Sequence, residues 1–306
     1  MIIRPLIKPR FLKAGSLIRI VAPAGKIPAN TVYNAINGLY SAGYRVIAGS
    51  HVFDEYHQFA GIDEDRLEDL QEAFDDPDCE AILIARGGYG LVRIIDQLDL
   101  AGFINCPKWV LGFSDVTILH SHLHIFGYQS VHSAMCAAFT PEENSHESIE
   151  TFFRALNGSE ISYQFSTHHL NRIGNCRGLL TGGNIAILSS CIGSASDIDT
   201  AGKILFLEDL GEYLYRLDRM MYTLKRGGKL SHLAGLLVGG LTGMKDGETP
   251  FGMDAEQIIL NAVKEYDYPV CFGFPSGHQH DNRALVLGSE VLMEVTSENS
   301  SLKFLD

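Results

Sequence analysis

Short apolar runs alternate with stretches of helical spacing through the first half of the chain. LIRIVA, residues 17–22, is continuously apolar and ends in Pro23, Ala24 and Gly25, the pattern of a buried strand that runs into a turn. Val32, Ala35, Ile36 and Leu39 recur at helical spacing over residues 31–42, and Gly43 stops that helix. YRVIAG (44–49), an acidic helix-like segment from Asp63 to Phe74, and EAILIA (80–85) come next. GGYGLVRIIDQL (87–98), the strand-like WVLGF (109–113) and a helix over 115–126 ending at Gly127 complete this half. Short apolar strands separated by helices predict a mainly parallel sheet covered on both faces.

Residues 140–175 break the alternation. TPEENSHES and NGSEISYQFSTHHLNRIGN are polar and turn-rich, which predicts a linker or excursion over 146–175. A second series begins near Cys176: a glycine turn and helix (TGGNIAILSSCIG), a strand (ILFLED, 204–209), and a helix over 213–225 rich in Tyr, Arg and Met. GLLVGG and PVCFGF read as strands around a helix at 255–266, and residues 284–306 read as short strands. The predicted fold class is α/β in two lobes. The N-terminal lobe (1–145) has a mainly parallel sheet flanked by helices; the second α/β lobe (176–306) has a strand-rich C-terminal part.

Composition narrows the partners. The 306 residues are 46% hydrophobic and 20% charged, ordinary for a soluble globular enzyme. The formal net charge is -13, and an acidic chain repels phosphate backbones and anionic lipid, so neither nucleic acid nor a membrane surface is a predicted partner. No apolar stretch approaches the ~18 residues of a membrane span. MIIRPLIKPRFLKAGS has no signal-length apolar run or small-residue cleavage site. Cys79, Cys106, Cys136, Cys176, Cys191 and Cys271 form no CxxC pair and read as reduced, mostly core thiols of a cytoplasmic protein.

Three sets of residues with chemical potential follow directly on strands, where parallel sheets gather their ligands. In WVLGFSDVTILHSHL the strand meets Gly-Phe-Ser-Asp and a helix starts at once. Ser114 there can be a strained, exposed nucleophile, although Val116 stands where a nucleophile elbow wants a second small residue. From this segment alone Ser114 reads first as a helix N-cap, with Asp115 complementing the helix dipole. In EAILIARGGYG, the N–H groups of Gly87 and Gly88 can form an anion nest or half an oxyanion hole, a tight turn, or a weak phosphate loop. Arg86 beside them can pair with a substrate carboxylate, or with an acid such as Asp115. Finally, Glu208 ends the strand LFLED, and His278 follows a strand and a Pro-Ser-Gly turn.

Together these residues identify a resemblance. VAPAG, ARGGYG, GFSDVT, GGN, LFLEDLGEYLYRLDRM and FPSGHQHDNRALVLG resemble, in order and spacing over nearly the whole chain, the LD-carboxypeptidase family of serine peptidases, which includes microcin-C-immunity peptidases. Val286 in LVLG departs from the proline usual in that family. The resemblance implies Ser114 as nucleophile, His278 as general base and Glu208 as the acid that orients it. Gly88 and Asp115 would supply oxyanion N–H groups, and Arg86 and Gly87 would meet the substrate. It also implies a cytoplasmic homodimer without metal or cofactor, which removes the terminal D-alanine of murein tetrapeptide during cell-wall recycling.

Three other readings stand beside it. A metal hydrolase could use His278-Gln279-His280-Asp281 as an HxH pair with His120 and His124, but no acidic ligand cluster has matching spacing. A non-catalytic peptide- or sugar-binding protein could keep the fold. An immunity-type peptidase cutting peptidyl- or acyl-nucleotide conjugates would want an aromatic platform for a base. The only tryptophan, Trp109, lies in the strand before Ser114 and reads as core.

Overall fold

Two sheets organise the chain. A computed structural model describes residues 6–140, 142 and 145–305. In the first half, strands β1 (Leu17–Val21), β2 (Arg45–Ala48), β3 (Cys79–Ile84), β4 (Trp109–Gly112) and β5 (Ser130–His132) alternate with helices α1 (Ala29–Ser41), α2 (Asp63–Asp75), α3 (Ala101–Asn105) and α4 (Thr117–Ile125). The five strands pair in parallel. Helix α5 (His146–Asn157) and strand β6 (Ser162–Ser166) lead into β7 (Gly174–Asn184), α6 (Ile185–Cys191), β8 (Ile204–Leu210), α7 (Leu214–Arg226) and β9 (Gly235–Thr242). Helix α8 (Ala255–Ala262) and strands β10 (Val270–Cys271), β11 (Leu285–Leu287), β12 (Glu290–Val295) and β13 (Asn299–Phe304) complete the order. The second sheet runs β10-β9-β8-β7-β12-β13-β6; it is parallel from β10 to β7 and antiparallel from there to β6.

The continuous apolar runs are explained by burial on both faces. In β3, Ala81 and Leu83 enter a core shared by the two sheets, while Ile82 and Ile84 face a second core under α2 and α4. In β8, Ile204 and Phe206 enter the shared core, and Leu205 and Leu207 face a third under α6, α7 and α8. Trp109 is fully buried in the shared core and its Nε1 donates to the Arg10 carbonyl at 3.0 Å. Lys108 is buried too: its Nζ donates to the carbonyls of Ala73, Phe74 and Asp76, closing the C-terminal end of α2.

The sheets do not divide cleanly by chain half. Strand β11, from the expected second lobe, pairs antiparallel with β5, with Leu285 opposite His132. The segment 146–175, predicted as a linker or excursion, contains α5 and the edge strand β6. Its polar flanks hide an amphipathic helix with Phe152, Ala155 and Leu156 in the shared core. Ser145 caps this helix by accepting from the Ser148 N–H, and Gly158 ends it at φ +77°. The glycine turn expected at TGGN is the end of β7. A Cβ on Gly182 would lie 2.0 Å from the Phe206 carbonyl oxygen, so glycine there permits close approach to β8. Among the described residues, no helix is long and apolar enough to cross a membrane.

Candidate active site

Strand β4 ends at Gly112, and a short 3-10 turn, Ser114–Val116, precedes α4. Ser114 has φ +68°, a left-handed conformation that costs a non-glycine residue of order 1–3 kcal/mol and persists only where surrounding structure enforces it. The N-cap alternative fails here. Phe113 occupies the cap position without a side-chain cap bond, and the Ser114 hydroxyl lies 3.1 Å from His278 Nε2. The bulky Val116 is accommodated by Gly112, where a Cβ would sit 3.0 Å from Val116 Cγ2 and 3.2 Å from Ile84 Cβ. The small residue that this turn needs is therefore supplied by the strand that enters it.

Glu208 comes from the other sheet, and His278 from the coil that links β10 of that sheet to β11 of the first. Glu208, in β8, is fully buried; its Oε2 accepts from His278 Nδ1 at 2.6 Å and from the His278 backbone N–H at 3.1 Å. With Nδ1–H donated to the carboxylate, the Nε2 lone pair faces Ser114; the tautomer follows from this network. Gly277, at φ +105°, lets the chain pass the acid, since a Cβ there would lie 2.7 Å from Glu208 Oε2. The Phe113 ring packs against the imidazole at 4.8 Å between centroids. The sheets meet beside this point, where the Asn184 N–H donates to Thr117 Oγ1 at 3.0 Å.

The glycine loop lies against the same serine. The Gly87 carbonyl accepts from the Gly25 N–H at 3.0 Å, which ties this loop to VAPAG, and Gly88 has φ +100°. The Asp115 side chain is buried and accepts from the Leu91 N–H at 2.9 Å, so it joins the turn after Ser114 to the loop after β3. Burial pushes the Asp115 carboxyl above its ordinary value, against the backbone N–H groups of Leu91 and Gly90. The backbone N–H groups of Gly88 and Asp115 donate to no other group among the described residues.

A cavity of about 580 Å³ is lined by Phe113 and Gln279, the chain neighbours of Ser114 and His278, and by Ile27, Arg86, Met135 and His280. The Arg86 guanidinium donates to the Lys26 carbonyl at 2.7 Å, and no carboxylate pairs with it among the described residues. The alternative pairing with Asp115 is therefore absent.

The residues of the metal reading are employed separately. His278 is engaged at both nitrogens. His120 Nε2 meets the Gly112 carbonyl at 2.9 Å and Nδ1 meets Ser130 Oγ at 2.8 Å; burial lowers this imidazole to about 4. His124, lowered to about 3 by burial and the Lys203 charge, faces the Lys203 ammonium at 3.3 Å. Among the described residues, the one His/Cys/Asp/Glu group with clustered ligand atoms is His51, Asp54 and Asp65, which includes none of these histidines.

Sequence reading missed His132, Ser276, Asn282 and Ser148, which surround the His278 turn. His132 is fully buried, with Nδ1 3.3 Å from Ser276 Oγ and its ring against Phe113 and Phe206. No local signal marks them, because the burial that obliges Asn282 to find partners is visible only in the structure.

Comparison with known proteins adds an independent line. Residues 18–133 match the LD-carboxypeptidase N-terminal domain and residues 177–293 the LD-carboxypeptidase C-terminal domain. The chain is 30% identical over 300 residues to the "Probable murein peptide carboxypeptidase" of Bacillus subtilis (strain 168), covering 97% of this chain and 94% of the relative. It is 30% identical over 289 residues to the "Murein tetrapeptide carboxypeptidase" of Pseudomonas aeruginosa, with 90% and 92% covered. The crystal structure of muramoyltetrapeptide carboxypeptidase from Oxalobacter formigenes superposes with TM-score 0.87 at 29% identity, covering 95% of this chain and 99% of that one. MccF in complex with glutamyl sulfamoyl guanosine shares the fold, with TM-score 0.85 at 19% identity and 98% of both chains covered.

Proposed function

The chain belongs to the LD-carboxypeptidase family, and from that premise we propose a serine carboxypeptidase that releases the terminal D-alanine of murein tetrapeptide by cutting an L,D-peptide bond. The observation that carries the reading is the line of contacts from Glu208 through His278 to Ser114, 2.6 and 3.1 Å long, ending on a serine held at positive φ. Ser114 Oγ attacks the scissile carbonyl carbon while its proton passes to His278 Nε2. The C–N bond then breaks, and His278 returns that proton to the leaving amine. Water repeats the sequence on the acyl-enzyme: His278 takes its proton, hydroxide attacks the ester, and Ser114 Oγ leaves with the proton. Glu208 holds the imidazole in the tautomer this needs and stabilises the imidazolium. The N–H groups of Gly88 and Asp115 receive the oxyanion.

Arg86, a cation on the cavity wall without a carboxylate partner among the described residues, is the group proposed to take the free carboxylate of the substrate, with Gly87 beside it. The murein substrate is supported by the names of the relatives that the chain matches along nearly its full length. A cytoplasmic location and a homodimer belong to the reading through the family resemblance. Mass spectrometry of tetrapeptide and pentapeptide muropeptides incubated with the protein tests it: the tetrapeptide is expected to lose one alanine. An intact tetrapeptide, with protein whose Ser114 reacts with a fluorophosphonate, would remove the murein substrate and leave the serine hydrolase.

A further inference from the structure

His278 lies between β10 and β11, on residues 272–284, which form neither helix nor strand. Backbone bonds to β9 hold this segment as far as Ser276, the Phe274 N–H donating to the Val238 carbonyl at 3.1 Å and the Gly240 N–H to the Ser276 carbonyl at 2.9 Å. Beyond Ser276 a further anchor must keep the imidazole within reach of both Ser114 and Glu208. Buried Asn282 meets that need from within the segment. Its Oδ1 accepts from the Gly277 N–H at 2.9 Å and lies 3.1 Å from Ser276 Oγ. Two polar groups meeting this atom, one a backbone N–H, fix it as the amide oxygen. The Asn282 N–H in turn donates to Ser148 Oγ of α5 at 2.7 Å. Two residues on, the Ala284 N–H donates to Thr151 Oγ1 of the same helix at 3.0 Å, and the Ala284 carbonyl accepts from Tyr163 of β6 at 2.6 Å.

We propose that Asn282, anchored on Ser148 of α5, is a positioning residue that sets the place of the His278 imidazole. This rests on the reading of His278 as general base. There is little slack in the arrangement, because Gly277 already passes so close to Glu208 that a Cβ would not fit. Releasing the Gly277 N–H lets that turn move away from the acid, and the Nδ1–Oε2 and Nε2–Oγ contacts move with it. An error of about 1 Å in such a contact is enough to cost on the order of 10²-fold in rate. The α5–β6 segment, remote from His278 in sequence, thereby acts as the bracket for the base.

The test compares wild type, Asn282→Leu and Asn282→Asp in the full chain. Leucine keeps the shape and removes the acceptor, whereas aspartate keeps an acceptor for the Gly277 N–H. The readouts are the rate of Ser114 labelling by a fluorophosphonate, kcat and KM on a D-alanine-terminated tetrapeptide, and the melting temperature. Asn282→Leu is expected to label on the order of 10²-fold more slowly and to lose kcat by a similar factor, more than any change in KM at this position on the cavity wall, and Asn282→Asp to recover most of the labelling rate. If Asn282→Leu does not fold, Ser148→Ala, which removes the anchor, is expected to slow labelling in the same direction by a smaller factor. A wild-type labelling rate in the folded variant overturns the inference and leaves the nucleophile reading standing. Wild type that does not label at all overturns both.

Discussion

Gly87 passes so close to Ser114 that a Cβ built on it would lie 2.8 Å from the serine Cβ and 3.0 Å from its Oγ. The loop after β3 and the turn after β4 are thus fitted to each other around the hydroxyl, and only glycine leaves the hydroxyl its position. Gly87→Ala is expected to push Ser114 out of line with His278 and to lower kcat by about 10²-fold or more. Fluorophosphonate labelling should slow in parallel, with circular dichroism unchanged. Labelling at the wild-type rate would mean that the loop yields without disturbing the serine.

The contacts among Ser114, His278 and Glu208 predict a non-additive unit. Ser114→Ala, His278→Ala and Glu208→Gln are each expected to lower kcat by about 10³-fold or more, with the double variants hardly worse than the singles. Glu208→Gln is the informative member, because it preserves shape and removes the charge facing the imidazolium. Steady-state kinetics on a D-alanine-terminated tetrapeptide decides this, and near-normal turnover by Ser114→Ala would end the serine mechanism. Since both nitrogens of His278 are engaged within the protein, EDTA should leave the rate unchanged. Activity lost to EDTA and restored by zinc would return the HxH reading to favour.

The alternating strands were legible because burial on both faces leaves continuous apolar runs, as in Leu17–Val21 and Cys79–Ile84. Ser114 was legible as a residue just past a strand, and Glu208 and His278 through resemblance, since Glu208 lies inside β8 and His278 on coil well past β10. The convergence of the three has no signature in local spacing. The strain at Ser114 was half legible: Val116 argued against an elbow, and the compensating Gly112 becomes visible only once its distance to Val116 is known. Helix α5 was lost between polar flanks, although Phe152 and Leu156 are at helical spacing. Asn282 could not have been assigned from sequence, since its bonds reach Gly277 five positions away and Ser148 134 positions away.

Arg86 makes the exopeptidase reading testable from the substrate side. Arg86 is exposed in the free chain. Once substrate covers it, an amide in place of the terminal carboxylate would leave the guanidinium without a counter-charge, which costs more than a lost neutral contact. A C-terminally amidated tetrapeptide is therefore expected to be a poor substrate of wild type. Arg86→Lys should raise KM for the free acid with little change in kcat, because a point charge replaces a bidentate fork. Equal cleavage of the amidated and free-acid peptides would rule out a carboxylate clamp at Arg86.

The buried histidines of α4 predict how stability responds to pH. His120 is held neutral by burial, its value lowered to about 4 in the folded chain against an ordinary 6.5. Between these values the unfolded chain binds a proton that the folded chain refuses, so the contribution is present above pH 6.5 and is lost as pH falls toward 4. For this one group the loss between pH 8 and pH 5 is about 2 kcal/mol. His124, lowered to about 3 by burial and the Lys203 charge, acts in the same direction. Asp209 acts oppositely. Burial raises its carboxyl to about 6 against 3.8, so the folded chain takes up a proton first and gains about 1 kcal/mol over the same pH step. Asp69 and Asp115, whose carboxyls burial also raises, act with Asp209. The measure of the histidine contribution is therefore the change that one substitution makes in the difference between urea unfolding at pH 8 and at pH 5. In His120→Gln, where no titrating group remains at that position, the difference between the two pH values should shrink by about 2 kcal/mol. A variant with the wild-type pH response would show that His120 is not the group that resists protonation.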